Sequence, residues 1–249
     1  MMSTTIVVPC YNEATRLPAE TYLEFLDGRL ELRFLFVDDG SIDGTQDVLQ
    51  QLCESSSGRC DFLQLPENRG KAEAVRRGIL SALDSDSSLV GFWDADLATP
   101  LEAIPVLAEV FEERPKVLMV SGSRVRLLGR HVDRDPFRHY AGRLFATVVS
   151  LMLDAPVYDT QCGAKLFRSC STVESLFHEE FITKWIFDVE ILARLRQDIG
   201  PAAWSQPGDL VYECPLETWQ DVSGSKVRPQ DFLHAPLDLI AIYRNYMAK

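Results

Sequence analysis

The sequence predicts an α/β fold built on a parallel sheet, and three observations carry that reading. Apolar runs of strand length alternate with amphipathic stretches of about a dozen residues through the first half of the chain. Three of those runs end in polar clusters, PCYNE (9–13), DDGSIDGT (38–45) and DADLATP (94–100). The hydrophobic content is 46% over 249 residues, which suits one large α/β domain or two small ones, one being the simpler reading.

Thr5–Val8 reads as the first strand, followed by a helix near 18–27. Arg33–Val37 is the second strand, and a helix over 43–54 is opened by Asp43. Phe62–Leu65 is the third strand. The helix Lys71–Leu83 follows, with apolar residues at 75, 79, 80 and 83 on one face. Leu89–Trp93 is the fourth strand, before a helix over 101–113. Short strands joined by helices imply parallel pairing through right-handed crossovers. Ligands of such sheets bind beyond the carboxyl ends of the strands, where the three polar clusters fall. The second half is less regular. It offers strands at 116–124, 162–168 and 211–217, and helices at 138–153, 187–197 and about 229–247, the last with Pro229 near its first turn.

Composition excludes several classes. The net charge of −12 argues against a nucleic-acid partner, because no broad surface would neutralise phosphates. No apolar stretch reaches the length of a membrane span, and LFATVVSLML (144–153) is about half of one. The N-terminus has no basic region before its first apolar run, so no signal peptide is expected. Six scattered cysteines without zinc spacing read as reduced cytoplasmic thiols, with a Cys53–Cys60 bridge left open. One segment runs against the acidic balance. RVRLLGRHVDRDPFRHYAGR (124–143) carries six arginines and two histidines against two aspartates, which points to a local anion or to a solvated loop.

Within FWDADLATP, Asp94 and Asp96 are separated only by Ala95. In an extended segment they would point to one side, where like charges call for a cation. A hard divalent ion completed by substrate phosphates would satisfy them, and an ordinary strand-end turn is the bland reading. Asp39 could accept from a base N–H. Lys71 opens a helix where it and backbone N–H groups could meet phosphate. Neither GxxxxGK[ST] nor GxGxxG is present, which weakens ATP-type and dinucleotide readings.

PCYNE, VDDGSIDGT, NRGKAEAV and DADLATP, in this order, resemble glycosyltransferase family 2. The resemblance continues through VSGSR (120–124), DTQCGAKLFR (159–168), WIFDVEIL (185–192) and GSK (224–226). It is nearest to the dolichyl-phosphate β-glucosyltransferase branch, beside the dolichol-phosphate mannose synthases. It implies a GT-A, Rossmann-like fold with a mixed, mainly parallel sheet and helices on both faces. A catalytic domain would cover 1–228, with a C-terminal amphipathic helix over 229–249 on that domain or at a membrane interface. Measured against that branch, neither its N-terminal anchor nor C-terminal membrane spans are expected here. The expected location is cytoplasmic, with docking on the cytoplasmic membrane face.

By the same resemblance, Pro9, Tyr11, Glu13, Val37 and Asp39 would hold the nucleoside. Lys71 and Lys226 would stabilise diphosphate charge. Asp94 and Asp96 would bind Mg²⁺ or Mn²⁺ and the ribose-diphosphate, with Ala95 supplying backbone contact. Asp159 and Asp188 match candidate acids, Asp188 at the position of the family's usual base, although an acid in a helix's first turn is also favoured by the dipole. Arg124 and Arg138 match positions that meet an acceptor phosphate in the mannose synthases. The implied activity is inverting transfer of a hexose, glucose from UDP-glucose, to a polyprenyl or dolichyl phosphate. GDP-mannose or a soluble alcohol acceptor is the alternative within enzymes. A non-catalytic nucleotide-sugar-binding module is the alternative outside them.

Overall fold

The computed structural model describes residues 2–133, 136–222 and 229–248. In chain order the elements are β1 (Thr4–Cys10), α1 (Ala19–Leu26), β2 (Leu32–Asp38), α2 (Thr45–Ser55), β3 (Cys60–Gln64), α3 (Lys71–Leu83), β4 (Leu89–Trp93) and α4 (Ala103–Glu113). There follow β5 (Met119–Ser123), β6 (His131–Asp133), α5 (Pro136–Leu153), β7 (Ala164–Arg168), α6 (Ser171–His178), α7 (Phe187–Trp204), β8 (Val211–Pro215), β9 (Thr218–Gln220) and α8 (Pro229–Ile242). The fold is α/β with a mixed, mainly parallel sheet. It divides into two compact units, one of residues 1–97 and 164–180, the other of 98–163 and 181–249.

In the first unit the strand order is β3-β2-β1-β4-β7. All pairs are parallel except β4 with β7. Side-chain parity explains why helices cover both faces. Phe34 and Phe36 of β2 point to α1, where Tyr22 meets both rings edge-on at 5.0 and 5.1 Å. Val7 and Val37 point the other way, to α3. A Cβ at Gly78 would lie 2.3 Å from Val7 Cγ1 and 2.8 Å from Val37 Cγ2, so glycine is what lets α3 approach. The chain passes from β1 outward to β3, then returns to place β4 on the other flank of β1. That reversal is the topological switch point of an α/β sheet, where a crevice opens beyond the strand ends.

The second unit pairs β5 with β8 and β6 with β9, both parallel. Its tail is held by a buried polar network. Glu190, fully enclosed on α7, accepts from the N–H groups of Ile182 and Thr183, from Arg194 Nη2 at 2.8 Å and from Tyr246 Oη at 2.9 Å. α5 is apolar on two sides. Ala146, Val149 and Leu153 are buried, while Tyr140, Leu144, Val148 and Leu151 recur at helical spacing along an exposed stripe. Among the described residues no helix is long and apolar enough to cross a membrane.

The elements expected from periodicity are present. β6, β9 and α6 are additional, the two strands being only three residues long and too short to show a period. α2 begins at Thr45, two residues after the expected opening. Asp43 still serves its start, accepting from Thr45 N at 2.9 Å and Thr45 Oγ1 at 2.5 Å. Those bonds hold the Asp43 carboxyl below its ordinary range, against the opposing effect of burial. α7 runs past its expected end to Trp204, broken at Gly200 (φ 78°) ahead of Pro201. Cys53 and Cys60 are both unbridged, and burial pushes their thiols up to about 12 and about 11.

Gly40 stands at φ 63°, and a Cβ there would lie 2.5 Å from the carbonyl carbon of Glu67. Gly40→Ala combines a left-handed conformation with a backbone clash. It is expected to cost about 2 kcal/mol or more, read from the denaturant midpoint.

Candidate functional site

The first unit gathers its polar clusters at the carboxyl ends of β1, β2 and β4. Asp39 N–H donates to Cys10 O at 2.8 Å, joining the first two strand ends. The loops beyond are stitched side chain to backbone. Asn12 N–H donates to Ser41 Oγ at 2.9 Å, Ile42 N–H to Asn12 Oδ1 at 3.0 Å, and Glu13 N–H to Thr45 Oγ1 at 2.7 Å. Asn12 takes φ 49°, a left-handed conformation that asparagine tolerates well. PCYNE and DDGSIDGT are therefore one structural piece.

Asp39 is buried, and both its oxygens are used within the protein. Oδ1 accepts from Arg69 N–H and Oδ2 from Gly70 N–H, each at 2.8 Å. Burial raises its pKa, and the two backbone donors oppose that shift. The expected partner was a base N–H. The geometry adds a second role, since Asp39 fixes the turn that opens α3 and so aims Lys71. Lys71 Nζ lies 2.5 Å from Asp94 Oδ1.

The Asp94–Ala95–Asp96 segment needs a correction. β4 ends at Trp93, and the three residues lie in a turn closed by Leu97 N–H to Asp94 O at 3.2 Å, with Leu97 at φ 52°. The same-side argument for an extended strand therefore does not apply. From this turn both carboxylates act on the same group, the Tyr22 phenol of α1. Burial and then the charges of Cys10, Asp96, Asp94 and Glu13 raise the pKa of Tyr22 well above its ordinary value, so it stays a neutral donor. Its hydroxyl points to Ala95 O at 3.5 Å, at the edge of hydrogen-bond range.

These residues fit a divalent cation that shares its shell with a nucleotide. Asp94 and Asp96 are half-buried hard oxygen donors, and the Lys71 ammonium already stands against Asp94 as a positive charge. Among the described residues no group of three or more His, Cys, Asp or Glu forms a metal centre by itself. Two carboxylates would leave the remaining positions to phosphate oxygens and water, as magnesium prefers.

Of the other expected donor-side residues, Pro9 and Tyr11 are partly exposed at the end of β1. Glu13 is buried, with Arg16 Nε 3.7 Å from its carboxylate. Val37 is wholly buried, its side chain against α3 at Gly78, which makes it a core residue. Lys226 and the side chain of Arg138 lie outside the described residues.

The second unit joins Arg124 to Asp159. Arg124 Nε donates to Asp159 Oδ2 at 2.6 Å, Nη2 to Oδ1 at 2.7 Å, and Arg124 N–H to Oδ2 at 3.0 Å. The guanidinium carbon also lies 5.3 Å from the centre of the Trp219 ring. One edge of the expected phosphate-binding fork is thus committed to a carboxylate. Glu213 of β8 supports the pair from behind, its oxygens accepting from Tyr158 N–H and Asp159 N–H at 2.7 Å each. Asp188 is buried in the first turn of α7. Sequence reasoning missed Glu213 and Tyr22. An acid inside the otherwise apolar VYECP strand was a usable signal. Tyr22 looked like any core residue on an amphipathic helix.

The family model for glycosyl transferase family 2 matches residues 5–169. The dolichyl-phosphate beta-glucosyltransferase of Dictyostelium discoideum is 30% identical across 98% of this chain and 74% of its own length. The protein of the same name from Homo sapiens is 32% identical across 98% and 75%. Among solved structures, glucosyl-3-phosphoglycerate synthase from Mycobacterium tuberculosis, in complex with Mn²⁺, UDP and phosphoglyceric acid, superposes with a TM-score of 0.67. It shares 18% identity and is covered over 99% of this chain and 79% of its own, a likeness that establishes the fold. The strand-end clusters, their switch-point setting and these matches agree, and the chain belongs to glycosyl transferase family 2.

Proposed function

We propose that this protein is an inverting glucosyltransferase that moves glucose from UDP-glucose to a polyprenyl phosphate. The observation that carries the reading is the juxtaposition of Asp94, Asp96 and Lys71 at the switch point of the first unit. The matches to dolichyl-phosphate beta-glucosyltransferases along nearly the whole chain support glucose and a lipid phosphate.

In this reading Pro9, Tyr11 and the Asp39 loop seat the nucleoside. Asp94 and Asp96 hold Mg²⁺ or Mn²⁺, which would offset charge developing on the leaving diphosphate. Lys71 and Lys226 add positive charge to the same group. An acceptor phosphate oxygen forms a bond to the anomeric carbon as the carbon–oxygen bond to the diphosphate breaks, and UDP leaves with that electron pair. A phosphate monoester has a second pKa of about 6, so it arrives ionised and needs no protein base. Asp188 would act as a base only toward an alcohol. Arg124 and Arg138 are assigned to the acceptor phosphate, with Asp159 positioning Arg124. The exposed stripe on α5, which begins within the arginine-rich segment and runs beyond it, supports docking on a membrane surface.

The test is a screen of UDP- and GDP-sugars with purified protein, with and without polyprenyl phosphate, in Mn²⁺ or EDTA. The expected result is metal-dependent glucose incorporation into lipid from UDP-glucose alone. GDP binding tighter than UDP by tenfold, ~1.4 kcal/mol, would move the donor to GDP-mannose. Donor binding without transfer to any acceptor would leave a binding module.

A further inference from the structure

The arginine-rich segment contains a feature that donor and acceptor chemistry do not use. After β5, Arg130 N–H donates to Leu127 O at 3.1 Å, closing a four-residue turn. Gly129 is its third residue, at φ 83°, the position where a type II turn requires glycine. Leu128, at the corner, is 105% exposed, and Leu127 is 49% exposed. A Cβ at Gly129 would meet nothing within 4 Å, so the turn projects into open space. Turn corners are normally filled by Gly, Pro, Asn, Asp or Ser, for reasons of backbone geometry and hydration. Two adjacent leucines there gain nothing from the turn itself.

The charge around the tip selects what could cover it. Arg126 and Arg130 flank the leucines, and no acid occurs from Leu118 through Val132, in a chain whose net charge is −12. Arg126 is exposed, and Arg130 is held by Glu217 at 3.2 Å, the exposed acid brought to the base of the turn by the chain between β8 and β9. An apolar tip flanked by two arginines matches a surface that is apolar inside and anionic at its rim, which describes a lipid bilayer with acidic headgroups. A polar protein surface would leave the leucines in contact with water-seeking groups.

We propose that the Leu127–Leu128 turn is a membrane-inserting tip, which enters the headgroup layer of an anionic bilayer while Arg126 and Arg130 meet the headgroups. The lipid-acceptor reading supplies the reason for a membrane to be nearby. The tip's test needs neither donor nor acceptor.

Vesicles of phosphatidylcholine and phosphatidylglycerol without polyprenyl phosphate serve as the probe. Leu128→Trp is expected to shift its added emission to the blue on vesicle addition and to be quenched by brominated acyl chains, relative to the unmodified protein. Leu127→Ser/Leu128→Ser is expected to lower vesicle partitioning at least tenfold while UDP affinity stays unchanged. Pure phosphatidylcholine or high salt should also weaken partitioning. The proposal is overturned if Leu128→Trp emission ignores the vesicles, or if the double-serine variant partitions like the parent. It is equally overturned if that variant changes the sedimentation coefficient instead, since a second copy would then be covering the tip. Sugar transfer to polyprenyl phosphate without insertion sinks the tip alone. Insertion without such transfer sinks the acceptor assignment alone.

Discussion

Asp96→Ala is expected to lower glucosyl transfer by about a thousandfold, the upper range for deleting one group that stabilises a developing anion. EDTA should reduce the parent protein to a similar level and should have little further effect on the variant. Asp96 is half-exposed in a turn, so the unfolding free energy should change by no more than a surface substitution does, about 0.5 kcal/mol. Mn²⁺-dependent binding of UDP, measured by calorimetry, should be lost with the activity. Full transfer by the variant in EDTA would remove the metal assignment. Lys71→Met gives a different signature. Its ammonium stands 2.5 Å from Asp94, where it competes with any cation for that carboxylate. Both side chains are partly open to water, which screens the contact, so the competition is weak. Mn²⁺ affinity without nucleotide should rise by a fewfold, while transfer falls because the leaving group loses a positive partner.

That contrast shows what the sequence could and could not disclose. The alternation of strands and helices, and the clusters at their ends, follow from local periodicity and turn chemistry. Both are short-range properties that a linear chain records. The pairing of Lys71 with Asp94 is not short-range. It depends on Asp39, thirty-odd positions before the turn it holds, capturing the N–H groups of Arg69 and Gly70. The end of the strand at Trp93 is legible in LVGFW, but the path of the next residues is not, since the local pattern does not separate an extended exit from the turn at Asp94–Leu97. Leu97 in a left-handed conformation is an uncommon choice that propensity does not foresee. α6 carried a readable spacing at Val173, Leu176 and Phe177, but only eight residues of it. Buried charge was the least legible feature. Lys165 lies wholly enclosed on β7, its Nζ 5.2 Å from the centre of the Phe92 ring, inside a stretch that reads simply as a strand.

The Arg124–Asp159–Glu213 relay carries the second large effect. Asp159→Ala leaves a mostly buried guanidinium without its carboxylate. Breaking a buried ion pair from one side typically costs about 3–5 kcal/mol, so a fall of that order in unfolding free energy is expected. Arg124→Ala/Asp159→Ala should then cost less than the sum of the two single changes, because the second removal takes away the uncompensated charge left by the first. Glu213→Gln separates positioning from stability. An amide offers one acceptor oxygen where the carboxylate now serves two backbone N–H groups, so one bond is lost, at about 1–3 kcal/mol. Glu213 acts through the segment carrying Asp159, and Asp159 in turn aims Arg124. The variant should therefore raise the KM for polyprenyl phosphate about tenfold, leave UDP affinity unchanged and lower kcat little. Conservative replacement of Arg124 by lysine keeps the charge but loses the fork, and it should shift the acceptor KM in the same direction. If Glu213→Gln instead weakens UDP binding and acceptor binding equally, the relay merely stabilises the second unit. The acceptor phosphate would then have to be assigned to other cations.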